Sequence, residues 1–540
     1  MDTRRACLAL LLGLCGIAAA GDGRLAAVEG RYADVADAYA ALQAIDSGLL
    51  AEYGGHDARG WRRVQGAAAR EASAGLARIA RHPPTDPEDL RAFELMRDNL
   101  AFLTGGHEMT PTGRCADAQR PGLDEHSLHD ALYACFGSEG GSIRFEGEVF
   151  GRLAWFARLG SLDSSERRRS LFIAMSPLWV ALNGDDSPAS PYRRYIVATV
   201  KDPAFASPVL DAARTLGIDA GEAASWLERI LAAWRDANPG PMIEPWDYFH
   251  ANGAAARSLA ACISPDSIVP ASQRYYADLG ADLGALGVMH DVAARPGKSP
   301  VAYTMPMRYG RDVARQWRTT VPRVSADVSA GDLGSLNELV HEDGHAVQYA
   351  AIRARPAFTV DTQQDSLYWE AFADVPSWSV YTVAWQRRYL GCVAAPQDLE
   401  RAQYGGVMLD VAWGLFEVRM LEDPSRDPNR LWTDITSHYL RIAPHPELSW
   451  WATRVQLVDL PGYMVTYALG AALTAELRER TAAGIGNFDA GNPRWYGWLQ
   501  QQLLGQGASR PAAELLREFL GRPPSPEPLV RALRRPALKP

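Results

Sequence analysis

The sequence predicts a mainly α-helical protein with at most a small β-sheet, and two observations carry that expectation. Residues 24–105 are rich in Ala, Leu, Arg and Glu with few β-branched runs, and apolar residues recur at helical spacing in segments such as Asp86–Leu103. Period-two alternation bounded by turn residues is scarce throughout. With 540 residues, 47% apolar and only 22% charged, the chain can bury a large core, although its length alone would suggest two or more domains. The net charge of −9 is spread without a long run of either sign, which argues against a nucleic-acid-binding surface and against a polybasic membrane anchor.

Taken in order, the first element is an export signal over residues 1–20. Met1-Asp2-Thr3-Arg4-Arg5 supplies the charge, Ala6–Ile17 the apolar run and Ala18-Ala19-Ala20 the small-residue cleavage site. Cleavage after Ala20 would leave a secreted or periplasmic chain starting at Gly21. The apolar run is too short to span a membrane, and Leu14 before Cys15 disfavours a lipid anchor there. Asp86 reads as an N-cap with Pro87 as the first helical residue. Helical texture returns over 205–236 and 462–483, and Thr319–Val328 is the best strand. Pro- and Gly-rich breaks near 104–123, 183–192, 237–245 and 294–300 read as loops between helices. No repeat or low-complexity linker divides residues 21–540, so a single domain is expected, with its catalytic core at about 240–540. Four cysteines remain after cleavage. Cys115, Cys135, Cys262 and Cys392 allow three full pairings; Cys115 with Cys135 is the favoured local bridge, on an equal footing with four buried thiols.

The chemistry concentrates in His341-Glu342-Asp343-Gly344-His345 and in Glu370, 25 residues further on. Asp332 is a natural N-cap for a helix running to about Arg355, ahead of Pro356. On that helix Leu336, Leu339, Val340 and Val347 would face the core, while His341 and His345 share one face and can grip one zinc ion. A second helix starting near Asp365 or Ser366 would bring Glu370 as third ligand. Two histidines, one carboxylate and one open position form a catalytic zinc site. Glu342 is then free to act as general base and later as acid. Asp374, one turn after Glu370, could accept a hydrogen bond from the non-ligating nitrogen of a zinc histidine. Gly344 would let another segment pack closely on the helix.

At these residues the chain resembles the clan of helical zinc oligopeptidases that includes thimet oligopeptidase, oligoendopeptidase F and angiotensin-converting enzyme. His341-Glu342-Asp343-Gly344-His345-Ala346 and Trp369-Glu370-Ala371-Phe372-Ala373-Asp374-Val375 carry the resemblance, with Asp343 standing where an apolar or small residue is usual. Gly462-Tyr463-Met464-Val465-Thr466-Tyr467-Ala468-Leu469-Gly470 is similar to the clan's tyrosine-rich helix. Tyr463 and Tyr467 are therefore both candidates to hydrogen-bond the oxyanion. Gly507–Ser525 and Glu244-Pro245-Trp246-Asp247-Tyr248 are weaker points of similarity. The resemblance implies a two-lobed helical fold around a deep central cleft, one Zn2+ per chain and oligopeptide substrates; a monomer without stable membrane insertion is expected. The clan histidine ahead of the tyrosine helix has no match, since Val458 and Asp459 stand at its place; His438 or His445 are the spatial substitutes to consider.

The remaining histidines, His56, His82, His107, His126, His129, His250 and His290, lack ligand spacing relative to the motif. The leading expectation is an exported zinc metallopeptidase acting on short peptides. A peptidyl-dipeptidase releasing C-terminal dipeptides is the alternative, for which Arg454 could hold the terminal carboxylate. Other rivals are a catalytically inactive peptide-binding relative and a different hydrolase with the same zinc shell.

Overall fold

A computed structural model describes residues 23–105, 113–293, 298, 301–361 and 365–534. The export signal, with Cys7 and Cys15, and His107 lie outside them. The described chain is mainly helical with three small sheets. No described helix is long and apolar enough to cross a membrane.

Helix ends follow the capping residues in the sequence. Asp57 starts Ala58–Ile79 by accepting the Gly60 N–H, and Asp86 starts Pro87–Thr104 by accepting those of Glu88 and Asp89. These two helices and Gly23–Asp46 pack as a group, and their apolar faces form a smaller core with Tyr309, Tyr349, Phe358 and Trp369. The stretch 205–236 folds as Pro208–Leu216 and Ala220–Ala237, broken where Gly217 takes a left-handed cap. These, the long helix Pro396–Glu422 and the helix Met464–Ile485 belong to a second, larger core.

The sheet nearest the motif has three strands. Val321–Ser325, a shorter piece than the Thr319–Val328 expected, lies in the centre, parallel to Met289–Asp291 and antiparallel to Tyr303–Arg308. Its register slips between Pro306 and Arg308, where a proline cannot donate to the ladder. The other two sheets are short hairpins, Ile143–Phe145 with Glu148–Phe150 and Arg311–Val313 with Gln316–Arg318. Cys115 is bridged to Cys135, and Cys262 to Cys392, so the four cysteines are paired and the local bridge is the one the spacing favours.

Candidate metal centre

Asp332 accepts the Ser335 N–H at 2.8 Å and starts the motif helix, Leu333–Ala351. Leu336, Leu339, Val340 and Val347 are fully buried on its core side. The helix stops earlier than the Arg355 expected, because partners distant in sequence take over its end. Ile352 turns extended, the Ala351 carbonyl accepts from Gln500 Nε2 (2.9 Å), and Arg353 N–H donates to Gly505 O (2.8 Å). Pro356 opens a separate short helix, Pro356–Val360.

The second helix, Ser366–Ser377, begins where Asp365 accepts the Tyr368 N–H at 2.9 Å. It passes so close to the motif helix that a Cβ on Gly344 would lie 2.9 Å from Ala373 O and 3.0 Å from Ala373 Cα. Any side chain at 344 would push the two helices apart.

This approach brings three donors together. The ligating atoms of His341, His345 and Glu370 all lie within 4.8 Å of one another. Glu370 Oε2 is 3.2 Å from His341 Nε2 and 3.6 Å from His345 Nε2. The other nitrogen of each ring faces an acceptor: His341 Nδ1 is 2.8 Å from Asp374 Oδ1, and His345 Nδ1 is 2.9 Å from Gln348 Oε1. Those acceptors place the proton on Nδ1 in the neutral rings and leave both Nε2 lone pairs aimed at Glu370. Ser377 Oγ donates to Asp374 at 2.9 Å, and the Trp369 ring stacks on His345, 5.6 Å away and tilted by 9°. The donor set and its orientation fit a zinc ion with a fourth position free.

Burial by itself would lower the His341 pKa and raise that of Glu370. Instead the Asp374 and Glu370 carboxylates hold the imidazole well above its ordinary value, and hydrogen bonds from both histidines hold Glu370 well below the usual carboxylate range. Negative charge therefore surrounds the imidazoles, as a divalent cation requires. Glu342, between them, is 6% exposed; burial raises its pKa, and the Thr304 hydroxyl sits 2.7 Å from its Oε2.

Of the two tyrosines, Tyr463 reaches the donor set: its hydroxyl donates to Glu370 Oε1 at 3.2 Å. Tyr467 packs edge-on against the Tyr463 ring, with centroids 5.4 Å apart. Tyr463 stands at the head of the helix Met464–Ile485, after Gly462 in a conformation of φ +95° that favours glycine. The Glu417 carboxylate grips this corner from below, accepting Gly462 N–H at 2.9 Å and Met464 N–H at 2.7 Å. Glu417 is 1% exposed, and burial pushes its pKa up to about 8.

Several candidates fall elsewhere. His445 is held by Glu244 (2.8 Å) and Glu447 (2.7 Å) beside Trp246, and His438 contacts Arg235, so neither substitutes for the missing histidine. Arg454 pairs with Asp410 and covers the face of Trp413. His126 and His129 both contact Asp130 without a third donor completing a site among the described residues. Asp343 is completely buried, accepting from Ser272 Oγ (2.6 Å) and contacting His290 Nε2 (2.7 Å). That pair ties the back of the motif helix to the strand Met289–Asp291. Thr304, Glu417 and the His290–Asp343 pair are not singled out by any local pattern. Gln348 alone carried a signal, being three residues after His345 on the same helical face.

No protein-family model matches the sequence, and no curated protein is similar to it in sequence. Solved structures do match in shape. An M32 carboxypeptidase from Deinococcus radiodurans aligns with TM-score 0.53 and 16% identity over 95% of this chain and 98% of its own. Metallocarboxypeptidase 1 of Trypanosoma cruzi gives 0.51 and 16% over 96% and 99%. A protein assigned as an oligoendopeptidase F gives 0.55 and 15% over 94% and 95%. The chain therefore has the mainly helical fold that these carboxypeptidase and oligoendopeptidase structures share.

Proposed function

We propose that the chain is a zinc-dependent peptidase that hydrolyses short peptides. One observation carries this reading: His341 Nε2, His345 Nε2 and a Glu370 oxygen converge, each imidazole is held by an acceptor on its far nitrogen, and a carboxylate that is not a ligand lies between the histidines. When bound there, zinc supplies Lewis acidity that polarises the scissile carbonyl and acidifies the attacking water.

The protein's own groups do the rest. Glu342 takes the proton of the attacking water and passes it to the leaving amine, while Thr304 orients its Oε2. Tyr463 donates its hydroxyl to the oxyanion as negative charge develops. Asp374 and Gln348 keep the two imidazoles in one tautomer and one orientation. Arg454 is paired with Asp410 and lies over Trp413, so dipeptide release through that residue gains no support. The small-residue cleavage site at Ala18-Ala19-Ala20 supports action outside the cytoplasm.

The test is Glu342→Gln. Peptide hydrolysis should fall by about 10²–10⁴-fold, the usual contribution of a general base, while zinc content stays near one ion per chain. Hydrolysis by the wild-type chain that survives complete, verified zinc removal would overturn the reading.

A further inference from the structure

Beside the donor set lies a cavity of about 420 Å³. Tyr463, Gln348 and Trp369 form part of its wall. These same side chains contact Glu370 and His345, so the cavity adjoins the metal centre. Leu367, Ile352 and Leu504 are among its apolar lining residues.

The charged groups in the wall are unequally satisfied. Arg214 pairs with Asp211 at 2.8 Å, and Arg510 with Glu518 at 2.6 Å. Asp365 caps its own helix, and Asp361 accepts from the Tyr32 hydroxyl at 2.8 Å and from Asn99. Arg91 differs. Its Nε donates to Ala508 O at 2.7 Å, and it forms no ion pair among the described residues. Glu514, Glu94 and Asp361 act on it only from beyond ion-pair distance, and burial disfavours its charge. A partly buried guanidinium with both terminal nitrogens unengaged matches a carboxylate in shape and charge.

We propose that Arg91 forms a carboxylate subsite of the peptidase, taking an anionic group of the substrate on the cavity side of the scissile bond. The group is either an aspartate or glutamate side chain or the terminal carboxylate of the peptide. This rests on the peptidase reading and deepens it, because it names the class of peptide preferred.

The experiment compares matched peptides on the zinc-loaded, full-length protein. One arm sets Glu against Gln at positions flanking the cleaved bond in C-terminally amidated peptides. The other sets free against amidated C-termini in the Gln peptides. In at least one arm the carboxylate peptide should show kcat/KM higher by about 10–100-fold, the range of a charge-assisted hydrogen bond. In Arg91→Gln that ratio should collapse, whereas Arg91→Lys, which retains the charge, should keep part of it. The same labelled peptides titrated into the Glu342→Gln chain give the affinity ratio directly, with no turnover needed. No preference in either arm, or a preference that survives in Arg91→Gln, overturns the subsite. Failure of the wild type to cleave any peptide overturns the peptidase reading instead, and the binding titration still decides the subsite.

Discussion

Tyr463 and Tyr467 are four residues apart and chemically identical, yet only one hydroxyl meets the donor set. Tyr463→Phe should lower kcat by about 10²-fold, with KM changed little, as expected for a donor that acts mainly in the transition state. Tyr467→Phe should cost less than about tenfold, acting through its packing on Tyr463. Steady-state kinetics on the same peptide separates the two. Glu417 bears on the same outcome without meeting substrate. Its two oxygens satisfy the N–H groups on either side of Tyr463, and a glutamine at 417 would turn an NH2 group toward one of them. The convergence of His341, His345 and Glu370, with Glu342 between the histidines, was legible from residue type and spacing. Thr304 and Glu417 were not, because a hydrogen-bond partner from another segment leaves no periodicity in the sequence.

At the level of elements, the site depends on how close two helices can come. Gly344→Ala would put a methyl against Ala373, and we expect it to destabilise the metal-free chain by about 1–3 kcal/mol in denaturant unfolding, the range for overpacking a tight contact. Zinc content should fall with it, since Glu370 rides on the displaced helix. A variant with unchanged stability and full zinc occupancy would contradict a tight contact between the two helices at 344. The starts of both helices were readable, since Asp332 and Asp365 cap locally. The end of the motif helix was not, because Gly505 and Gln500, which terminate it, lie about 150 residues away.

Across the whole molecule, Glu417 and Asp361 are among the buried carboxyls that have no ion-paired cation among the described residues. Burial raises Glu417 to about 8 and Asp361 to about 7. The sign follows from proton counting: between the ordinary carboxyl range and these values the folded chain holds protons that the unfolded chain has released. Their contribution to stability is full below the ordinary carboxyl pKa and is lost as pH rises through about 7 and 8. The melting temperature should therefore decline from about pH 5 to pH 8. Glu417→Gln combined with Asp361→Asn should flatten that slope; a slope unchanged in the double variant would contradict the assignment. The mainly helical class was visible in composition and spacing, but the division into two cores and the cavity beside Tyr463 arise where segments hundreds of residues apart meet. Arg91 and Tyr463, both in the wall of that cavity, show why no window of sequence could reveal it. The bridge between Cys262 and Cys392 joins segments 130 residues apart by a covalent bond. His341, Glu342, His345, Glu370 and Asp374 all fall inside the loop it closes. A protease that nicked the chain once anywhere between those cysteines would leave every ligand tethered to the rest, so the centre could be cut without being dismembered.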